Sequence, residues 1–245
     1  MDLAMLRGAM WIFPLGAAAI ALLFGALLVR QFVRRRRIYQ VIWAIALLMY
    51  AVASLALLLG VIDGWTKAEY RLYWLFGAIL NVPFLAMGEL YLLVRRRWVN
   101  HVLLLLLLFA TAFAAARVRT ATIDAAALGK DLPLGKDAFA DDTLPYRLSQ
   151  LYAYPAYLVL LVGSAWSIWK MRSASGLHDR MVGTTLIAAG ATIVAIGSGV
   201  GAGLNVVPVF SIGLLAGIAV MFWGFLRASA PPRAAPVTST AEPAT

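Results

Sequence analysis

The chain contains no cysteine among its 245 residues, and charged residues make up only 13% of it. The lack of cysteine excludes disulfides, thiolate nucleophiles and cysteine-ligated metals or iron–sulfur clusters. The sequence also lacks a grouping of metal ligands, a phosphate-binding glycine loop and a pair of catalytic carboxylates. We therefore expect no enzyme activity, no cofactor and no bound metal.

What the chain has in excess is apolar residues. They make up 63% of the sequence, with a mean hydropathy of +0.86, whereas roughly 45–50% is usual for a soluble domain. Seven apolar stretches reach the roughly 20 residues that a membrane-crossing helix needs. They cover residues 9–33, 38–60, 70–94, 98–116, 151–169, 181–203 and 206–227. The sequence thus predicts an all-α integral membrane bundle of seven transmembrane helices, with a transmembrane domain over residues 1–227.

Basic residues are distributed unevenly between the two ends of these stretches. If the N-terminus lies outside, most of the 21 lysines and arginines fall on the cytoplasmic side, where basic residues are usually retained. We therefore predict an outside N-terminus, a cytoplasmic C-terminus and a multi-pass location in the inner (plasma) membrane. The same asymmetry predicts contact with anionic lipids of the inner leaflet. Nucleic-acid binding is not expected, because there is no folded basic domain with base-stacking aromatics.

Two segments lie outside the predicted spans. Residues 117–150 form an extracytoplasmic loop that contains GKD twice and then Asp141 and Asp142. Clustered carboxylates suit hard cations, but the spacing is not that of a calcium loop. We therefore favour a solvated connector with a short interfacial helix over a cation- or ligand-binding cap. Residues 228–245 contain no core-forming residues and are predicted to be a disordered cytoplasmic tail.

The third predicted span carries the candidate polar site. At about 100° per residue, Gly77, Asn81 and Gly88 fall within about 40° of one another, and Glu89 lies about 80° from Asn81. Polar side chains rarely face lipid, so this stripe is expected to face protein. Pro83 cannot donate a backbone hydrogen bond one turn back, and it is predicted to kink the helix.

Glu89 has two interpretations. In the first, which we favour, its carboxylate lies near the inner interface and pairs with Arg30 at the end of the first span or with Arg96. In the second, it is a protonatable or ligand-binding group in a cavity opened by the kink at Pro83. Ionisable residues within a membrane span are functional by default, but those near an interface need less explanation.

Glycines recur on the last two predicted spans at spacings that bring them onto one helix face. Close approach of helix backbones is the usual role of such faces, so we predict packing within the bundle or against another subunit. The predicted helix-packing residues are Gly183, Gly190, Gly197, Gly201, Gly213 and Gly217.

Aromatic residues concentrate near the ends of the predicted spans. Tryptophan and tyrosine are enriched at both membrane–water interfaces, so these residues are predicted to form interfacial belts. They are Trp65, Tyr70, Tyr73, Trp98, Tyr146, Tyr152, Tyr154, Trp166 and Trp169.

The stretch YRLYWLFGAIL, Tyr70–Leu80, continues directly into NVPFLAMGELYLL. Over these residues the chain resembles a loose group of small bacterial seven-helix membrane proteins of uncharacterised function. The resemblance implies a seven-span fold. It implies no particular activity.

Two functions of different classes remain open. The first, which we favour, is a non-enzymatic binding or scaffold role: sensing of a lipid or small ligand, or service as an accessory subunit docked on other membrane subunits. The alternative is a small-solute or proton-coupled transporter that uses Asn81, Pro83 and Glu89. Transporters often have inverted repeats with paired broken helices, whereas only one span of this sequence carries such a break.

Overall fold

The computed structural model describes residues 11–94, 96–129, 132–172, 177–203 and 207–229. In these ranges the regular secondary structure is entirely helical. Seven helices there are long and apolar enough to cross a membrane, which confirms the predicted all-α, seven-span architecture. The sidedness of the two termini stays a prediction. The predicted disordered tail lies outside the described residues, apart from its first two residues, which belong to the last helix.

The spans differ from the predicted stretches mainly around the long loop. Their bounds are Ile12–Arg35, Ile38–Ile62, Lys67–Leu93, Arg97–Thr120, Leu144–Met171, His178–Gly203 and Val207–Ser229. The fourth helix extends past residue 116 and the fifth begins before residue 151, so the connection shortens to residues 121–143. Hydropathy does not detect these additional helical turns, because a helix can continue through polar residues after it leaves the apolar zone of the membrane.

The third span begins with a capping box. The Thr66 hydroxyl accepts a hydrogen bond from the backbone N–H of Glu69, and the Glu69 carboxylate accepts one from the N–H of Thr66, at 3.2 and 2.9 Å. These reciprocal bonds satisfy backbone groups that the first helical turn leaves free. The start of the span is therefore fixed locally, before any tertiary contact is considered.

The third span is interrupted by a π-helix. An α-helix over Lys67–Tyr73 leads into the π-helix Trp74–Leu80, which is followed by an α-helix over Asn81–Leu93. The N–H of Asn81 donates to the carbonyl of Phe76, five residues back. Pro83 lies two residues further along the chain and has no N–H to donate. The irregularity expected around Pro83 is thus a π-helical segment on its N-terminal side, and such segments frequently occur at functional sites.

The bundle is packed unevenly. The sixth and seventh spans form the closest pair, the first packs on the second and seventh, and the third packs on the second and fifth. The fourth span lies at the periphery against the third and fifth. Its residues Leu105 and Phe109 are 66% and 74% exposed, as expected of side chains that face lipid.

Residues 121–129 and 132–143 form a folded segment, which we call the cap. It contains two single-turn helices, Ala125–Leu128 and Gly135–Ala138, and it buries Leu132 and Phe139 almost completely. The expectation of a short helix in this connector is met, but the expectation that the connector is solvated is wrong. The apolar residues spaced between its charges pack onto the end of the bundle, because burying them removes apolar surface from water.

Carboxylates of the cap accept hydrogen bonds from backbone N–H groups nearby in the chain. Asp124 accepts a hydrogen bond from the N–H of Ala126 at 2.9 Å, and Asp142 accepts one from the N–H of Leu144 at 3.3 Å. Asp142 also forms an ion pair with Arg117 at 3.5 Å. No group of metal ligands is found among the described residues.

Part of the predicted aromatic belt is instead a buried cluster. Trp65, Tyr70 and Tyr73 pack with Trp74 and Phe139 at ring-centroid distances of 5.2 to 6.5 Å, beneath the cap. Tyr146 joins this cluster at its edge. Four of the predicted belt residues are largely exposed, as that location requires: Trp98, Tyr154, Trp166 and Trp169.

Candidate functional site

Hydrogen bonds attach the third span both to the cap and to the start of the fifth span. The Tyr70 hydroxyl donates to the carbonyl of Pro133 at 3.3 Å, and the Trp74 indole N–H donates to the carbonyl of Pro145 at 3.1 Å. Gly135 lies flat against the Trp74 ring, where a Cβ would overlap the indole. The π-helix is thus covered at its first turn.

The sixth and seventh spans meet along a glycine seam. Its three levels pair Gly183 with Gly224, Gly190 with Gly217, and Gly197 with Gly213. A Cβ on Gly183 or Gly190 would lie 2.5 Å from the partner's carbonyl oxygen, and one on Gly197 would lie 2.8 Å from the partner's Cα. Backbone atoms cannot move aside as side chains can, so each level requires glycine.

The glycine seam accounts for most of the predicted packing residues. Gly183, Gly190, Gly197, Gly213 and Gly217 all belong to it. Gly201 lies on the sixth helix, and the prediction that it packs falls outside the described surroundings. Gly224 was missed, although its spacing of seven residues from Gly217 was a usable signal. The two glycine faces cover each other, so neither is free to dock on another subunit.

A narrow cleft opens between these two spans and the rest of the bundle. Its empty volume is about 590 Å³ when the open space at the mouth is included, and the enclosed part is about 40 Å³. Every span except the fourth contributes to its walls, and nearly all the lining side chains are apolar. Glu89 and Ser164 are the polar exceptions. Small-molecule sites in proteins share this combination of an apolar cleft and a few polar groups.

Glu89 lies in the wall of this cleft and is only 6% exposed. Gly163 of the fifth span packs directly against its side chain. The expected ion pair with Arg30 or Arg96 is not formed: both arginines are exposed, and no described cation lies within 4 Å of the carboxylate. Arginine side chains at the helix ends point to the interface, where water solvates them at lower cost.

The other members of the predicted polar site lie elsewhere. Asn81 is buried, and its side-chain N–H₂ donates to the carbonyl of Ala46 on the second span at 2.7 Å. Pro83 is half-buried beside the π-helix. Neither these two residues nor Arg30 lines the cleft. The structure therefore brings only Glu89 of the predicted polar set into the cleft.

Three residues of the site were not anticipated. Trp43 of the second span covers Gly88, and its indole N–H donates to the carbonyl of Leu85 at 2.9 Å. Gly163 and Ser164 approach from the fifth span. The adjacent small residues of the fifth span were a weak signal of close packing. Nothing local indicates that Trp43 would meet the third span.

Polar contacts bracket the cleft at two levels. Toward the predicted inner end, the Gln40 amide donates to Gln31 at 3.1 Å, and Gln31 donates to the Ser229 hydroxyl at 3.3 Å. Toward the predicted outer end, the Tyr157 hydroxyl donates to Thr192 at 2.9 Å and joins the fifth and sixth spans. Both contacts lie a few residues along the helix from cleft-lining positions, so they fix the spacing of the walls.

Comparison of the chain with protein-family models, with curated proteins and with solved structures finds no match. The resemblance to small bacterial seven-helix proteins therefore stays a prediction. The fold defines the chain as a multi-pass helical membrane protein. Its chemistry has to be inferred from the cleft around Glu89.

Proposed function

We propose that this protein is a non-enzymatic binding protein that takes up a small, membrane-partitioned ligand in the cleft around Glu89. The observation that carries the proposal is the cleft itself: an apolar space bounded by six spans, with a single carboxyl group in its wall. A ligand that enters from the bilayer would exchange lipid contacts for protein contacts and add one polar interaction. That polar interaction would give the site its selectivity.

Ligand sensing is preferred to the accessory-subunit role for a specific reason. The scaffold hypothesis relied on free glycine faces, and the six glycines of the seam are occupied by one another. The exposed surface of the fourth span carries large apolar side chains of the kind that lipid covers. A binding role therefore accounts for the cleft around Glu89, which the scaffold role leaves unexplained.

The alternative is proton-coupled transport, and one observation favours it. The π-helix Trp74–Leu80, Pro83 and Glu89 lie on the same span. Interrupted helices at membrane depth occur in transporters, where they support movement around a binding site. Under this alternative, reconstituted protein carries protons across vesicles, and Glu89→Gln abolishes the flux while leaving the fold intact.

The inner rim supplies a further proposed contact, with anionic lipid. Arg34, Arg35, Arg36 and Arg37 are all exposed at the turn between the first two spans. Asp179, the described acid at the same predicted end, already pairs with Arg227 at 3.3 Å. The turn therefore keeps uncompensated positive charge that suits acidic headgroups.

A matched pair of substitutions tests the binding proposal. Ala188 lines the cleft, whereas the neighbouring Ala189 is exposed on the lipid side of the same helix. Native mass spectrometry of gently extracted protein reports ligands that remain bound. We expect wild-type protein and Ala189→Phe to retain a small molecule that Ala188→Phe loses. Equal retention by both variants would exclude the cleft as the site.

A further inference from the structure

The carboxyl group of Glu89 has no cationic counterpart in the described part of the protein. Arg30 and Arg96, the two predicted partners, are exposed and unpaired with it. An isolated charge in an apolar site is costly unless it is paired. A ligand that carries its own positive charge supplies the missing partner.

The remaining cleft walls suit a cation better than an anion. Phe24 and Phe225 lie side by side at a centroid distance of 4.7 Å, and the Trp43 ring borders the same space. Aromatic faces attract cations through their quadrupoles. The Trp43 N–H is already engaged by the Leu85 carbonyl, which leaves the Ser164 hydroxyl as the described side-chain donor in the walls. An anionic headgroup would face Glu89 with little to stabilise it.

The space around Glu89 also limits where the charge of a ligand can be placed. Gly163 closes the fifth-span side of the carboxylate, since a Cβ there would come within 3.1 Å of Glu89 Oε1. The apolar volume extends from Glu89 towards the first, second and seventh spans. The matching ligand has a compact apolar body on that side and one positive group at its end.

We propose that the cleft binds a lipophilic ammonium compound, with its positive nitrogen at Glu89 and its apolar body between Trp43, Phe24 and Phe225. This inference rests on the proposed binding function and specifies the chemical class of its ligand. The aromatic rings hold the body and contribute cation–π attraction, and the carboxylate forms a charge-assisted hydrogen bond. Ser164 is a second polar contact available to the head.

Three probes with the same cage and different heads test this inference: 1-adamantylamine, 1-adamantanol and 1-adamantanecarboxylate. Binding is measured by equilibrium dialysis against the protein in lipid nanodiscs at neutral pH, with empty nanodiscs as the partition control. A charge-assisted hydrogen bond in a dry site corresponds to about a tenfold gain in affinity. We expect the amine to bind about tenfold more tightly than the alcohol and the carboxylate to bind most weakly.

Variants of Glu89 separate the contribution of the probe's head group to affinity from the contribution of the apolar cleft walls. Glu89→Gln should lower amine affinity about tenfold and leave alcohol affinity within about twofold, whereas Glu89→Asp should retain a preference for the amine. Alcohol binding by Glu89→Gln also shows that the variant is folded. Should that variant not fold, the order of the three probes on wild-type protein still decides the matter.

The outcomes distinguish the two proposals. Equal binding of amine and alcohol, or tighter binding of the carboxylate, would overturn the ammonium assignment and leave the cleft as a binding site. If no probe binds to wild-type protein above the empty-nanodisc level, both the ammonium assignment and the cleft proposal fail. Loss of all binding in Ala188→Phe, with retention in Ala189→Phe, would place the bound probes in the cleft.

Discussion

Gly163 and Glu89 are in direct contact across the boundary between the fifth and third spans. A Cβ on Gly163 would lie 2.8 Å from Glu89 Cγ and 3.1 Å from Oε1. The acid is thus held against a backbone surface on one side while the other side borders the cleft. Packing, rather than an ion pair with a described residue, determines where this carboxyl group lies.

The contact predicts a cost for the smallest possible substitution at this position. Gly163→Ala forces the Glu89 side chain to shift and should destabilise the protein by about 1–3 kcal/mol, as overpacking usually does. The midpoint of thermal unfolding in mild detergent measures the effect. Gly199→Ala is the control, because a Cβ at Gly199 meets nothing within 4 Å. Equal midpoints for the two variants would contradict the close contact.

The glycine seam predicts a loss of fold rather than release of a partner. In Gly190→Leu the new side chain would meet the carbonyl of Gly217 and the backbone of Met221, which cannot yield. We expect the sixth and seventh spans to separate and the purified variant to aggregate or unfold at lower temperature. Size-exclusion chromatography and thermal unfolding report this. A stable monomer that only loses a bound protein would show that the face is external.

The buried Phe139 ring predicts that a substitution in the cap, outside the membrane-spanning helices, lowers stability strongly. Phe139 is fully buried against Tyr70 and Trp74, so Phe139→Ala should cost about 3–5 kcal/mol. Phe109→Ala is the matched control, since Phe109 is 74% exposed on the fourth span. Limited proteolysis of residues 121–143 should accelerate in the first variant alone. Unchanged protection would mean that the cap does not depend on this ring.

The buried hydrogen bond of Asn81 predicts a moderate effect. Asn81→Ala removes its bond to the Ala46 carbonyl and should lower stability by about 1–2 kcal/mol. The bond joins the second and third spans at the end of the π-helix, so ligand binding in the cleft should change little. Combined thermal unfolding and probe dialysis separate the two effects. Loss of amine binding without loss of stability would show that Asn81 contributes to the binding site.

The proposed lipid contact predicts that enrichment of anionic lipid depends on basic residues at one end of the bundle only. Arg34→Gln combined with Arg35→Gln should reduce enrichment of anionic lipid around the protein in mixed nanodiscs, and added salt should reduce it in the wild type. Arg119→Gln, an exposed arginine at the opposite end, serves as the control. Lipid analysis after affinity purification measures the enrichment. Indifference to both salt and substitution would remove the proposed contact.

The architecture could be predicted because lipid imposes a strong local rule on sequence. A span must be apolar over its whole length, so hydropathy alone located all seven helices. The π-helix could not be predicted, since residues Trp74–Leu80 differ little in propensity from an α-helix of the same composition. Pro83 indicated the region of the irregularity but not its type. The helical-wheel angle between Gly77 and Asn81 assumed a regular α-helix across that segment.

The site was only partly predictable because it is built from distant residues. Glu89 could be singled out, since a carboxyl group within an apolar helix always calls for an explanation. Arg30 and Arg96 were the natural candidates for its partner, yet both side chains are exposed and form no ion pair with it. Trp43 packs on Gly88 and Gly163 packs on Glu89 through the packing of three spans. No pattern within any one of those spans specifies which neighbour it will have.

The cleft wall formed by the sixth and seventh spans has a consequence for biosynthesis. A ribosome adds about 5–20 residues per second, so Ile187 and Ala188 emerge about 5–20 s after Glu89. Until then the nascent third span presents an acid with no wall opposite it. We expect the insertion machinery to shelter that helix until the sixth and seventh spans are made, and chains truncated before the sixth span to be recognised by membrane quality-control proteases.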